Sequence, residues 1–95
     1  MFHCILVKFL PSVKDRQELT GRIQELFSGS GDIPGIRNAA LYPSAVDRPN
    51  RYDLMIQLDM DRQALEAWDE STLHRRWKEE FSPFLQSKAI FDWEP

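Results

Sequence analysis

The opening segment Phe2–Phe9 is apolar on both of its alternating faces. Its short length, its β-branched and aromatic residues and the stop at Pro11 predict a strand. One face carries His3, Ile5, Val7 and Phe9, and the other carries Phe2, Cys4, Leu6 and Lys8. Because a strand that is apolar on both sides needs cover on both sides, we expect helices on one sheet face and a partner subunit on the other.

Hydrophobic periodicity divides the rest of the chain into helices and strands. Residues 14–27 have apolar side chains at helical spacing, whereas residues 52–59 alternate as a strand does. The other predicted elements are a strand at residues 36–42, helices at residues 62–69 and 72–84, and a closing strand at residues 89–93. Asp59 or Asp61 is placed to cap the helix that begins near Arg62.

The order of these elements is β-α-β-β-α-β, the split arrangement of ferredoxin-like domains. Right-handed crossovers then place the helices on one face of a four-stranded antiparallel sheet, which is an α+β architecture. The other sheet face collects an apolar surface that is too large for a soluble monomer, namely Phe2, Cys4, Leu6, Met55 and Phe91. We therefore expect a homodimer that packs sheet against sheet.

Composition indicates one soluble domain over residues 1–95. A net charge of −3 and a pI near 5.3 argue against a nucleic-acid surface. The single cysteine, Cys4, cannot form an internal disulfide, which suits a reducing compartment. No apolar run approaches the ~20 residues that span a bilayer, and the start lacks a basic leader. We expect a cytoplasmic protein with neither a nucleic-acid nor a membrane partner.

The stretch of residues 64–85 holds the best candidate for chemistry. Leu73, Trp77 and Phe81 recur at helical spacing, and His74 lies at the margin of their stripe. His3 shares the parity of Ile5, so both imidazoles are expected to face the space between helices and sheet. Two groups that titrate near neutrality on an apolar wall suit proton transfer, and we expect them to share a cavity for a small ligand.

Other residues complete the candidate ligand-binding site. Arg37 has the facing of Ala39 and Leu41 and is placed to orient an anionic group. The expected walls of the cavity are Ile5, Tyr52, Ile56, Trp68 and Trp77. Each candidate also has a purely structural interpretation. The aromatic residues would be ordinary core residues. His74 would be hydrogen-bonded to the backbone or to Asp92, and His3 would cap an edge at the start of its strand. Two histidines without clustered carboxylates predict no metal site, and we expect no cofactor.

Five segments in order resemble the stress-responsive α/β-barrel (Dabb) family: FHCILVKF, IPGIR, RYDLMIQLDM, ALEAWDESTLHRRW and AIFDW. The resemblance covers essentially the whole chain and implies that two ferredoxin-like subunits pair into one dimeric α/β barrel. Some relatives are polyketide-type cyclases, in which matching histidines line a pocket and a tyrosine assists. Trp68 stands at the place that matches the tyrosine, and an indole cannot act as an acid or base. The family's His-Pro-x-His motif reads Ser71-Thr72-Leu73-His74, so only its second histidine is kept.

Three functions remain open from the sequence. The first is a cofactor-free, cyclase-like or lyase-like enzyme in which His74 and His3 act on an apolar or aromatic carbonyl compound. The second is a non-catalytic module that binds a small apolar ligand in the same pocket. The third is a structural, stress-associated dimer whose interior is filled with side chains. A cavity beside His74 would separate the third function from the other two.

Overall fold

Four strands and three α-helices follow the predicted order in the computed structural model, which describes residues 1–95. In chain order they are β1 (Phe2–Phe9), α1 (Arg16–Phe27), β2 (Ile36–Pro43), β3 (Leu54–Met60), α2 (Ala64–Glu70), α3 (Thr72–Phe81) and β4 (Leu85–Trp93). Short 3-10 turns follow α1 and α3, at Ser30–Asp32 and Ser82–Phe84. No helix is both long enough and apolar enough to cross a membrane.

The strands form one four-stranded antiparallel sheet in the order β2-β3-β1-β4. The strand that is apolar on both faces, β1, occupies the interior of the sheet and pairs with both β3 and β4. Its residue Ile5 lies opposite Ile56 on one side and opposite Ile90 on the other. The predicted α+β, ferredoxin-like fold is confirmed.

One hydrophobic core lies between the helices and one face of the sheet, here called the helix side. Along β3 every second residue is buried there, from Leu54 to Met60, as the alternation predicted. The helices bury the residues of their apolar stripes: Leu19, Ile23, Leu26 and Phe27 of α1, and Trp77 and Phe81 of α3. The helix side therefore follows directly from sequence periodicity.

Several element boundaries differ from the sequence-based expectation. β4 begins at Leu85 rather than at residue 89, because the β1 pairing continues as far as Phe9 opposite Leu85. α2 begins at Ala64 and has no side-chain cap, so the capping role expected of Asp59 or Asp61 is wrong. Gly35 has a φ of +86° and lies against Ala64, where an added Cβ would come within 2.7 Å of the alanine Cβ. The tight approach of β2 to this helix start makes glycine necessary there.

The expected facing of Arg37 is also wrong. A β-bulge between Ile36 and Asn38 inserts one extra residue into β2, which breaks the alternation of side chains. The guanidinium bonds instead to Asp59 Oδ1 at 2.8 Å and to Asp61 Oδ1 at 2.8 Å. Its side chain is half exposed. Arg37 thus belongs to a surface ion-pair cluster and not to the space between helices and sheet.

The sheet face away from the helices, here called the outer face, is strongly apolar. Phe91 is 63% exposed, Tyr42 is 49% exposed and Trp93 is 40% exposed. The ring of Trp93 stacks on that of Phe2 at 4.6 Å between centroids. A shallow recess on this face is lined by Cys4, Leu6, Met55, Gln57, Phe91 and Trp93. No element of the chain covers this apolar surface.

Candidate functional site

Trp68 is the centre of the candidate site. It lies on α2, is 1% exposed, and packs between the two histidines that the sequence singled out. Its ring centroid is 4.9 Å from that of His74 and 6.4 Å from that of His3, both in edge-to-face geometry. Phe27 of α1 adds a third ring at 5.7 Å. The indole thus joins α1, α2, α3 and the sheet in one aromatic cluster.

His3 is held by a carboxylate on the neighbouring strand. The antiparallel register places His3 opposite Asp92 of β4, and His3 Nδ1 lies 2.5 Å from Asp92 Oδ1. The histidine side chain is 7% exposed and the aspartate side chain 38% exposed. Since an ionised carboxylate only accepts, the hydrogen resides on Nδ1. In the neutral imidazole, Nε2 is then left as a free proton acceptor.

His74 sits in the first turn of α3, where the helix start fixes its position. Ser71 caps that helix by accepting from the backbone N–H of His74 at 3.0 Å. The same hydroxyl donates to the Trp68 carbonyl at 2.7 Å, so it ties α2 to α3. The ring Nδ1 of His74 donates to the Asp69 carbonyl at 3.1 Å. His74 is therefore bonded to the backbone, and Asp92 bonds to His3 instead.

The environment keeps His74 neutral at physiological pH. Burial lowers its pKa below the usual 6.5, and the hydrogen bond to the Asp69 carbonyl opposes this shift. The ammonium groups of Lys78 and Lys88 lower the pKa further, against the carboxylate of Asp69. At neutral pH the imidazole thus has a hydrogen on Nδ1 and a free lone pair on Nε2.

The expected cavity between His3 and His74 is wrong, because the indole of Trp68 occupies that space. None of the five main cavities is lined by His3, Trp68 or His74. The spacing of residues along the chain gave the correct facing of both histidines. It carried no information on how much volume the intervening side chain fills.

The remaining predicted site residues are dispersed. Ile5, Ile56 and Trp77 are buried in the core, at 2%, 0% and 2% exposure. Tyr52 precedes β3, is 38% exposed, and lines a cleft of about 310 Å³ with Leu6 and Met55, which belong to the outer face. The prediction that Tyr52 lies with the histidines is wrong. The strand β3 begins only at Leu54, so the alternation of its side chains does not extend back to residue 52.

Two residues important for this site were missed or misassigned from the sequence. The sequence alone suggests Asp92 only as a partner for His74, since the register between the first and last strands is not encoded locally. Lys88 of β4 was outside the predicted strand altogether, although it pairs with Val7 of β1. Only an alternation of apolar and polar residues before residue 89 could have indicated from the sequence that the strand includes Lys88.

Comparisons with known proteins show which solved structures have a similar fold. No protein-family model matches the sequence, and no curated protein matches it. A dimeric ferredoxin-like protein of unknown function from Thermobifida fusca is similar with a TM-score of 0.80 at 18% identity, over 99% of this chain and 89% of that one. A Dabb family protein from Mesorhizobium loti is similar with a TM-score of 0.76 at 11% identity, over 99% and 94%.

The chain has a ferredoxin-like fold, which a Dabb family protein shares. The resemblance drawn from the sequence is thereby confirmed at the level of the fold. The hydroxynitrile lyase from Passiflora edulis shares this fold, with a TM-score of 0.75 at 11% identity, over 97% of this chain and 89% of that one. At such identities only the fold is common to these proteins, and the chemistry of each must be argued from its own residues.

Proposed function

We propose that this Dabb-type protein is a homodimer that performs acid–base chemistry without a cofactor on a small carbonyl compound, at His3 and His74. The observation that carries the proposal is the hydrogen bond between His3 Nδ1 and Asp92 Oδ1. An imidazole that is oriented by a carboxylate and keeps its second nitrogen free is a recurrent proton-transfer arrangement. The shared fold of a hydroxynitrile lyase supports carbonyl chemistry as the reaction class.

In the proposed reaction, His3 Nε2 takes a proton from a hydroxyl group or an activated carbon of the substrate. When the proton comes from a hydroxyl group, the oxygen electron pair forms the carbonyl as the bond from that carbon to the leaving group breaks, and the leaving group then takes the proton. When the proton comes from carbon, the C–H electron pair forms the C=C bond of an enolate, the carbonyl π electrons move to its oxygen, and the proton returns to another carbon. Asp92 stabilises the imidazolium that exists between these two steps. His74, also with a free Nε2, is the second group that can accept or return a proton.

A substrate would reach these groups from the edge of the sheet. The indole of Trp68 fills the interior, but the Asp92 side chain is 38% exposed and His74 is partly exposed. The proposed site therefore lies at the β4 edge and is not an enclosed cavity. Trp68 forms its inner wall and, because an indole N–H only donates, contributes binding and not proton transfer.

The outer face supports the dimer. Phe91, Tyr42 and Trp93 are large apolar side chains that water would contact in a monomer, and they share one sheet face. A second copy of the chain offers the same surface, so a twofold pairing covers both at once. Two solved proteins with this fold are described as dimeric, which supports the same assembly here.

A structural dimer without activity is the second candidate. The specific observation in its favour is the 1% exposure of Trp68, which leaves no room for a ligand between His3 and His74. In that case the His3–Asp92 pair serves to satisfy a buried imidazole. The enzyme and the structural dimer differ in whether a small molecule binds at the imidazoles of His3 and His74.

The test is a panel of aliphatic and aromatic aldehydes, their cyanohydrins and aromatic β-dicarbonyl compounds. His3→Asn and His74→Asn are the informative variants, because the asparagine amide can replace the Nδ1 donor but has no basic nitrogen. Arg75→Ala is the matched control, since Arg75 is exposed and adjacent to His74. We expect turnover of at least one compound by the native protein and by the control, and a loss of about 100-fold or more in His3→Asn.

Turnover that survives both asparagine variants would overturn the assigned chemistry. No turnover of any compound, together with an intact dimer, would favour the structural candidate.

A further inference from the structure

The helix side of the edge strand β4 is left open. Lys88 and Ile90 of β4 lie opposite Val7 and Ile5, which are buried on the helix side. Directly opposed residues on neighbouring strands share a face, so Lys88 and Ile90 also belong to the helix side. Both are nevertheless exposed, and Ile90 is 50% exposed. The helices thus stop short of β4, and Asp92 continues this uncovered row towards His3.

Two lysines border the opening. Lys78 follows His74 by four residues on α3, which places the two side chains on one helix face. Lys88 faces the same space from β4, and the ammonium groups of both lysines act on the imidazole of His74. We call this surface, made of His74, Lys78, Lys88 and Ile90, the open flank.

The lysines of the open flank have no anionic partner. Every ion pair in the protein that involves a basic side chain uses an arginine or His3, and none uses a lysine. Of the nearby carboxylates, Asp92 is engaged by His3 and Asp69 acts on His74. Two uncompensated cations beside an exposed isoleucine are notable in a protein of net charge −3. Such a combination attracts an anion that also has an apolar part.

We propose that Lys78 and Lys88 bind the anionic group of a small carbonyl substrate whose apolar part lies on Ile90, with its reactive carbonyl beside His74. This inference rests on the proposed function and assigns its substrate class: an aromatic or short aliphatic carbonyl compound that carries a carboxylate. The row from Lys88 to Asp92 covers four residue steps, or about 13 Å of strand. That row is long enough for one ring that lies on Ile90 with its carboxylate towards Lys88.

The binding test compares benzoate with its neutral isostere benzamide. The carbon-bound ring protons of His74 report binding by NMR, with assignment from His74→Asn. The variants are the double substitution Lys78→Gln/Lys88→Gln and, as a matched control, Lys14→Gln, which removes a lysine from the segment before α1.

We expect benzoate to bind the native protein and the Lys14→Gln control about fivefold to tenfold more tightly than the double variant, because each exposed pair contributes modestly. Benzamide should bind all three proteins equally. The preference for benzoate should also shrink when the Debye length falls from about 30 Å to about 10 Å with added salt.

Equal affinity of the double variant and the native protein for benzoate, or no binding of benzoate at all, would overturn the inference. The proposed function is judged separately by turnover. If turnover depends neither on the two lysines nor on an anionic group of the substrate, the proposed acid–base chemistry would stand. The open flank would then be rejected as the site that binds the substrate. Lysine-dependent benzoate binding without any turnover would retain the anion site and reject the enzyme.

Discussion

At the scale of single residues, three groups set the surroundings of the two histidines: two side chains and one backbone carbonyl. Asp92 fixes the tautomer of His3, the Asp69 carbonyl fixes that of His74, and the indole of Trp68 fills the space between them. Trp68 therefore separates two bases that the sequence alone would have placed in one open pocket. Lys88 and Ile90 of β4 remain exposed, and the ammonium groups of Lys78 and Lys88 lower the pKa of His74.

The depressed pKa of His74 predicts a specific pH dependence of stability. Because the folded state holds a proton on His74 less readily than the unfolded chain does, His74 reduces stability as the pH falls below its usual pKa of 6.5. Above that value both states are neutral at this residue and the effect is absent. We expect the stability of His74→Asn relative to the native protein to improve as the pH is lowered from about 7 to 5.

Denaturant titrations of both proteins across this range measure the effect. Equal pH dependence of the native protein and His74→Asn would contradict the assigned environment. The matched variant Lys88→Gln should raise the pKa of His74 in an NMR titration, since it removes one of the charges that lower it.

At the scale of elements, α3 joins the site to the core. Its residues Trp77 and Phe81 pack with their ring centroids 5.6 Å apart, and Trp77 meets Phe27 of α1 edge-on at 5.3 Å. Arg22 of α1 lies over the Phe81 ring at 5.5 Å. His74 lies one turn before Trp77 on the same helix, so the packing of Trp77 sets the distance of His74 from the sheet.

Truncation of Trp77 should therefore release the helix. We expect Trp77→Ala to lower the free energy of unfolding by roughly 3–5 kcal/mol, because a fully buried indole leaves a large cavity. Arg75→Ala on the exposed face of the same helix should change it by less than about 0.5 kcal/mol. A denaturant titration decides, and a loss below about 1 kcal/mol for Trp77→Ala would mean that α3 does not depend on this contact.

At the scale of the whole molecule, the chain itself covers only one of the two sheet faces. The helix side is covered by the chain itself, whereas the outer face presents Phe91, Tyr42 and Trp93 to solvent. In the proposed dimer, this apolar surface is buried against its copy, and the open flank remains on the helix side of each sheet. Assembly and ligand access would thus use opposite faces of β4.

Neighbouring residues of β4 offer a direct test of the dimer. Phe91 is on the outer face and Ile90 on the helix side, and they are 63% and 50% exposed. We expect Phe91→Glu to convert the dimer into a monomer at micromolar concentration, because it would bury a carboxylate in the apolar interface. Ile90→Glu should leave the dimer intact. Sedimentation measures both variants, and a native protein that sediments as a monomer would reject the proposed assembly.

The sequence by itself determined the order of the elements and the facing of most side chains. Alternation along β3 and the helical stripe of α3 identified the residues that are buried, because burial in a regular element follows its period. The same reasoning placed both His3 and His74 next to the core. These features depend only on residues that are a few positions apart, so they can be predicted from short stretches of the sequence.

Only the tertiary structure decided what the site contains. The bulge that turns Arg37 to Asp59, the register that places Asp92 opposite His3, and the exposure of Lys88 all arise from pairing between distant segments. The volume of Trp68 mattered only once α1, α2 and the sheet had closed around it. Strand register and packing are non-local, since a shift of one residue would exchange the two faces without altering any local periodicity.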